Sequence, residues 1–142
     1  MKRIRSYNKA LKYLFSQLPM YQRQGKKAFK KNLNNSIILC DRLDNPHHHF
    51  KSIHIAGTNG KGSVSHLMAC GLVGQGYKVG IYTSPHYKDF RERIKINGEY
   101  IPKSKVVDYI NMFVHDIQDL KPSFFELSVA MAFKYFKEEK VD

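Results

Sequence analysis

The chain has 142 residues, 42% of them hydrophobic and 25% charged, with a formal net charge of +12, and that length supplies one core of ordinary size. An aromatic content of 13% argues against disorder, and no apolar run approaches the ~18–20 residues of a membrane-spanning helix. Two cysteines, Cys40 and Cys70, exclude a disulfide-dense scaffold and favour a reducing, cytoplasmic setting.

The charge is uneven. Residues 1–31 hold ten Lys or Arg and no acid, whereas residues 32–142 hold 14 basic against 12 acidic residues. A solvated basic face, a targeting segment and a basic arm that binds an anionic partner all fit this asymmetry. Leu11, Leu14, Phe15 and Leu18 follow helical spacing behind Tyr7, with Ser6 as N-cap and Pro19 as stop. Residues 21–32 read as a basic connector around Gly25. A second helix is expected over 34–43, then a turn at Asn45-Pro46.

From Ser52 the pattern changes. Ile53 and Ile55 predict a short buried strand, and Val64, Leu67, Met68, Gly71 and Leu72 trace one face of the helix that follows. A second strand is expected over Lys78–Thr83, which makes a right-handed parallel βαβ unit. Residues 84–92 form a loop, and Asn97-Gly98 is a hairpin turn between Arg93–Ile96 and Tyr100–Ile101. Val106, Ile110, Phe113, Val114, Ile117 and Leu120 predict one amphipathic helix. Ser123 and Glu126 fit a capping box for a last helix reaching about Lys140. Two parallel strands and a hairpin are few for a domain, and alternation calls for a third strand near Val141-Asp142, so the expectation is an incomplete α/β domain.

The chemistry concentrates in HIAGTNGKGSV, residues 54–64. A phosphate needs several N–H donors converging on it without side chains in the way, and Gly57, Gly60 and Gly62 remove that obstruction. The helix that opens next offers unpaired N–H groups and partial positive charge. Lys61 adds a cation and Ser63 a hydroxyl. The strict GxxxxGK[ST] pattern is not met, because Ile55 stands where its first glycine would be and Gly62 where its Ser or Thr would be.

The strings GTNGKGS, TSPHYKDFRERIKINGEYI (83–101) and SFFELSVAMAFKYF (123–136) resemble the folylpolyglutamate synthase and dihydrofolate synthase family of the Mur ligase superfamily. LDNPHHHFKSIHIAGTNGKGS (43–63) is similar to the same family's amino-terminal run. The resemblance implies an incomplete P-loop three-layer α/β sandwich, a Mur ligase-like ATPase domain. On that reading residues 1–51 are a basic helical lead-in, residues 52–142 the P-loop portion with one hairpin, and the remaining domains lie outside the chain. It also implies ATP and Mg2+. Gly57, Thr58, Asn59, Gly60, Lys61, Gly62 and Ser63 would hold the ATP phosphates, with Lys61 catalytic, and Ser84 would ligate the metal. His86, Phe125 and Glu126 would face folate or dihydropteroate, although for Glu126 the sequence alone favours the capping box with Ser123, a role that can coexist with ligand contact.

The implied reaction adds L-glutamate to folate or dihydropteroate through an acyl phosphate, in an enzyme expected to be a monomer, with this chain alone expected to be inactive. Arg91 stands where family members commonly carry Asn. A Mur-type cell-wall ligase and a P-loop domain with a basic nucleic-acid-binding arm are the alternatives. No aromatic-interleaved RNA motif supports the second, so neither nucleic acid nor membrane is expected as partner. His47, His48 and His49 read as an exposed loop, and Cys40 and Cys70 as packing residues.

Overall fold

The computed structural model describes residues 3–18 and 32–142. Its elements are α1 (Tyr7–Gln17), α2 (Asn34–Arg42), α3 (Lys61–Gly74), β1 (Gly80–Tyr82), β2 (Ile94–Ile96), β3 (Glu99–Tyr100), α4 (Lys103–Met112), α5 (Val114–Leu120) and α6 (Phe124–Glu138), with tight 3-10 turns at Pro46–His48 and Phe90–Arg93. They fall in two compact units, Met1–Asp44 with Pro102–Met131, and Asn45–Ile101 with Ala132–Asp142. Pro19 and the connector around Gly25 lie outside the described residues.

The first unit is helical. Ala10 and Leu14, four residues apart and so on one face of α1, are buried against α4, and Leu18 is buried just beyond the helix. Asn111 on α4 exchanges two hydrogen bonds with the chain before α1: its Oδ1 accepts from Ile4 N at 2.9 Å and its Nδ2 donates to Ile4 O at 2.8 Å. Ser6 stands at the N-cap, but its side chain makes no cap bond and only its carbonyl accepts from Ala10 N. The single helix expected through Leu120 is two, divided at Phe113 (φ −82°, ψ 1°). Val106, Ile110, Phe113, Val114 and Ile117 are all buried across the break, so the apolar pattern carried no mark of it.

The second unit carries the sheet, and there the expectation fails in three respects. Residues 52–56 form no strand; Ile53 is 62% exposed, and no strand among the described residues pairs with this segment. A strand exists only through a neighbour's ladder bonds, so its apolar residues alone do not make one. The parallel βαβ unit is consequently absent. β1 pairs with β2 and β2 with β3, both antiparallel, with Ile81 opposite Lys95 and Lys95 opposite Tyr100. Finally, the apolar face expected on α3 is largely open: Val64, Leu67, Met68 and Gly71 are exposed, Leu72 is half-buried, and Ala69 alone in this helix is buried.

The hairpin forms where expected. Asn97 (φ 49°) and Gly98 (φ 85°) both take positive φ, as a two-residue turn of this hand requires. Asn97 Oδ1 also accepts from Val79 N at 2.7 Å, tying the turn to the start of β1. Gly80 admits no side chain, because a Cβ there would lie 2.7 Å from the ring of Phe136, which is buried.

Candidate active site

The glycine loop sits at the start of α3, all of it exposed from Gly57 to Ser63. Gly60 is the N-cap residue in the left-handed region (φ 78°, ψ −5°), where a Cβ would strain the backbone. Lys61, Gly62 and Ser63 form the first turn, whose N–H groups have no partner within the helix, and no acid lies there to neutralise them. A Cβ at Gly60 or Gly62 would meet nothing within 4 Å, so the space above this turn is open. Lys61 Nζ donates to Gly57 O at 2.7 Å and Thr58 O at 2.9 Å, which fixes the ammonium over its own loop. An ammonium has three donors, and these contacts use two of them.

In the same unit, the segment after β1 places Ser84 and His86. Ser84 is exposed and precedes a cis Pro85. His86 is half-buried, its ring edge-on to Phe90 at 6.2 Å, and its Nδ1 accepts from Arg93 Nε at 2.7 Å. Burial and, secondarily, the Arg93 charge hold its imidazole below the usual pKa.

Glu92 shapes the backbone of this loop. Its carboxylate accepts from Tyr87 N at 2.7 Å, Asp89 N at 2.8 Å and Lys88 N at 2.9 Å, and these bonds lower its pKa to about 2. Asp89 returns the cap by accepting from Arg91 N at 3.0 Å. Its carboxylate also takes the Arg91 guanidinium, with Nη2 at 2.7 Å from Oδ2, and Arg91 lies over the Tyr100 ring. Asp89, Glu92 and Arg93 are the residues that sequence reasoning passed over as site builders. The Asp-x-x-Glu spacing of a capping box was the available signal.

Phe125 and Glu126 belong to the first unit. Phe125 is 54% exposed at the start of α6, whereas Glu126 is buried. The expected capping box is present: Glu126 Oε2 accepts from Ser123 N at 2.6 Å, and Ser123 Oγ accepts from Glu126 N at 3.2 Å. Asn35 Nδ2 adds a longer bond of 3.4 Å to the same carboxylate.

Two expectations need correction. His48 and His49 are exposed as expected, but His47 packs its ring against Phe133 at 6.2 Å, with Nδ1 buried and no hydrogen-bond partner among the described residues. No group of three metal-ligating side chains occurs among the described residues. Cys40 is buried, and burial raises its thiol pKa, whereas Cys70 is exposed on the open side of α3 and packs nothing away.

No family model matches the chain. A Bacillus subtilis dihydrofolate synthase/folylpolyglutamate synthase is 37% identical over 120 residues, covering 80% of this chain and 28% of the relative. The structure superposes on Thermotoga maritima folylpolyglutamate synthase with a TM-score of 0.82 and 42% identity over 96% of this chain. The chain belongs to the folylpolyglutamate synthase and dihydrofolate synthase family. A member of this family solved as a complex with AMPPCP and folate matches 97% of the chain, with a TM-score of 0.81 and 32% identity. The chain spans 28% of the Bacillus relative and 31% of the Thermotoga chain. No described helix is long and apolar enough to cross a membrane.

Proposed function

We propose that this chain carries the ATP-phosphate-binding part of a Mur ligase-like enzyme that joins L-glutamate to folate or dihydropteroate. The observation that carries the reading is the open first turn of α3 with the Lys61 ammonium held on the carbonyls of the loop that leads into it, in a chain whose relative binds AMPPCP and folate. Backbone N–H groups from Gly60 to Ser63 would receive the phosphates, and Lys61 would offset charge as the γ-phosphoryl group transfers.

A carboxylate is a poor electrophile, and its approach to ATP sets anion against anion. Attack of the carboxylate oxygen on the γ-phosphorus breaks the bond to the bridging oxygen, giving an acyl phosphate and ADP. The glutamate amine then attacks the acyl carbon, phosphate leaves, and the nitrogen loses a proton. No covalent nucleophile of the enzyme is needed. Mg2+ takes oxygen ligands, keeps several waters and uses one or two protein groups beside substrate phosphates. The exposed hydroxyl of Ser84, in the same unit as the loop, fits as one such donor. Bound there, the ion would supply charge stabilisation on the phosphoryl oxygens.

His86, Phe125 and Glu126 are proposed to face the folate or pteroate. Because the relatives extend over more than three times the matched length, these 142 residues alone are expected to bind nucleotide without turnover. Grafted in place of the matching segment of the Thermotoga enzyme, they should support ADP release that needs both folate and L-glutamate. ADP release independent of glutamate would overturn the ligase reading.

A further inference from the structure

His86 is held from two directions by consecutive residues of one turn. Glu92 takes the three backbone N–H groups that follow His86 in the chain, from Tyr87 to Asp89. Arg93, only 4% exposed, closes the loop twice: its carbonyl accepts from Thr83 N at 3.0 Å, and its Nε donates to His86 Nδ1 at 2.7 Å. A guanidinium has donors and no acceptor and does not deprotonate in proteins. The nitrogen it meets must therefore present a lone pair, so His86 Nδ1 carries no proton and the ring proton resides on Nε2.

We propose that Arg93 is a positioning residue that locks His86 as the Nε2–H tautomer, so that His86 meets its substrate as a hydrogen-bond donor to an acceptor group. The lock stands on the geometry alone; the identity of the substrate as a folate or pteroate, whose carbonyl and ring-nitrogen atoms are such acceptors, rests on the function proposed above. A Lys at 93 keeps a charge but not the planar fork that delivers one fixed N–H to the ring. Among the described residues, the charges that act on the imidazole include those of Arg93, Glu92 and Asp89.

Long-range 1H–15N correlation spectra of the histidine side chains test the lock directly. In the unaltered protein near neutral pH, His86 is expected to show a non-protonated Nδ1 and a protonated Nε2. In Arg93→Met the donor is gone, and a population with protonated Nδ1 is expected to appear; Arg93→Lys should restore the Nε2–H form in part. Added folate should shift the His86 Nε2–H signal. A protonated Nδ1 in the unaltered protein, which needs no variant to fold, would overturn the lock, as would an unchanged tautomer in a folded Arg93→Met. A locked His86 that ignores folate would instead overturn its assignment to the folate site.

Discussion

The capping box at the start of α6 gives the sharpest energetic prediction, because Glu126 has two candidate roles. Its carboxylate accepts from the buried Ser123 N–H at 2.6 Å, and Ser123 Oγ accepts from Glu126 N at 3.2 Å. Glu126→Ala leaves the Ser123 N–H in a buried position without its acceptor, which costs about 1–3 kcal/mol. Ser123→Ala removes only the hydroxyl half of the box, worth about 1 kcal/mol. Glu126→Gln keeps an acceptor oxygen but loses charge assistance, at about 1 kcal/mol. Since both halves of the box share one helix end, the double variant Ser123→Ala/Glu126→Ala should cost less than the sum, with a coupling of at least about 0.5 kcal/mol. Equilibrium urea unfolding, with the slope held fixed, reads each value from the midpoint. A Glu126→Ala protein that unfolds at the wild-type midpoint would refute the structural role and leave ligand contact as the reason for the residue.

Gly80→Ala should destabilise by about 1–3 kcal/mol, since its Cβ lands 2.7 Å from a packed Phe136; Phe136→Leu in the same chain should recover part of the loss in a thermal melt. The depressed Glu92 pKa, about 2 against an ordinary value of 4.5, makes its stabilisation complete above pH 4.5 and lost as pH falls toward 2. Glu92→Gln should therefore flatten the acid limb of the unfolding midpoint over that window, and an unchanged limb would contradict the assignment. Gly60→Ala imposes left-handed backbone on a residue with a Cβ, at about 1–2 kcal/mol, and should weaken nucleotide binding measured by calorimetry.

Locally encoded features were legible in the sequence. The hairpin at Asn97-Gly98, the Ser123–Glu126 box and the buried face of α1 each depend on residues a few positions apart, and each is present. The glycine loop opening a helix was legible for the same reason. What failed depends on distant partners. Ile53 and Ile55 have the residue types of a strand, but pairing is a property of two segments, and β1 turns to β2 instead. The face of α3 likewise needs a covering layer that spacing alone does not supply.

The His86 environment illustrates the other limit. Its neighbour in space is set by the fold of the Phe90–Arg93 turn, and the Arg93 bond leaves no trace in composition or period. Arg91, standing where Asn is common, is absorbed by Asp89 and Tyr100 within the loop.

The central claim is that Gly57–Ser63 receives the phosphates of ATP, and a titration of the 15N-labelled protein with AMPPCP, which keeps a γ-phosphate, followed by amide NMR tests it most directly. The account predicts shifts concentrated at Gly57, Gly60, Lys61, Gly62 and Ser63. Lys61→Met should bind about 10–100-fold more weakly, the equivalent of one charge-assisted contact of about 1.5–3 kcal/mol. Shifts that fall elsewhere, or a Lys61→Met affinity equal to that of the unaltered protein, would contradict it.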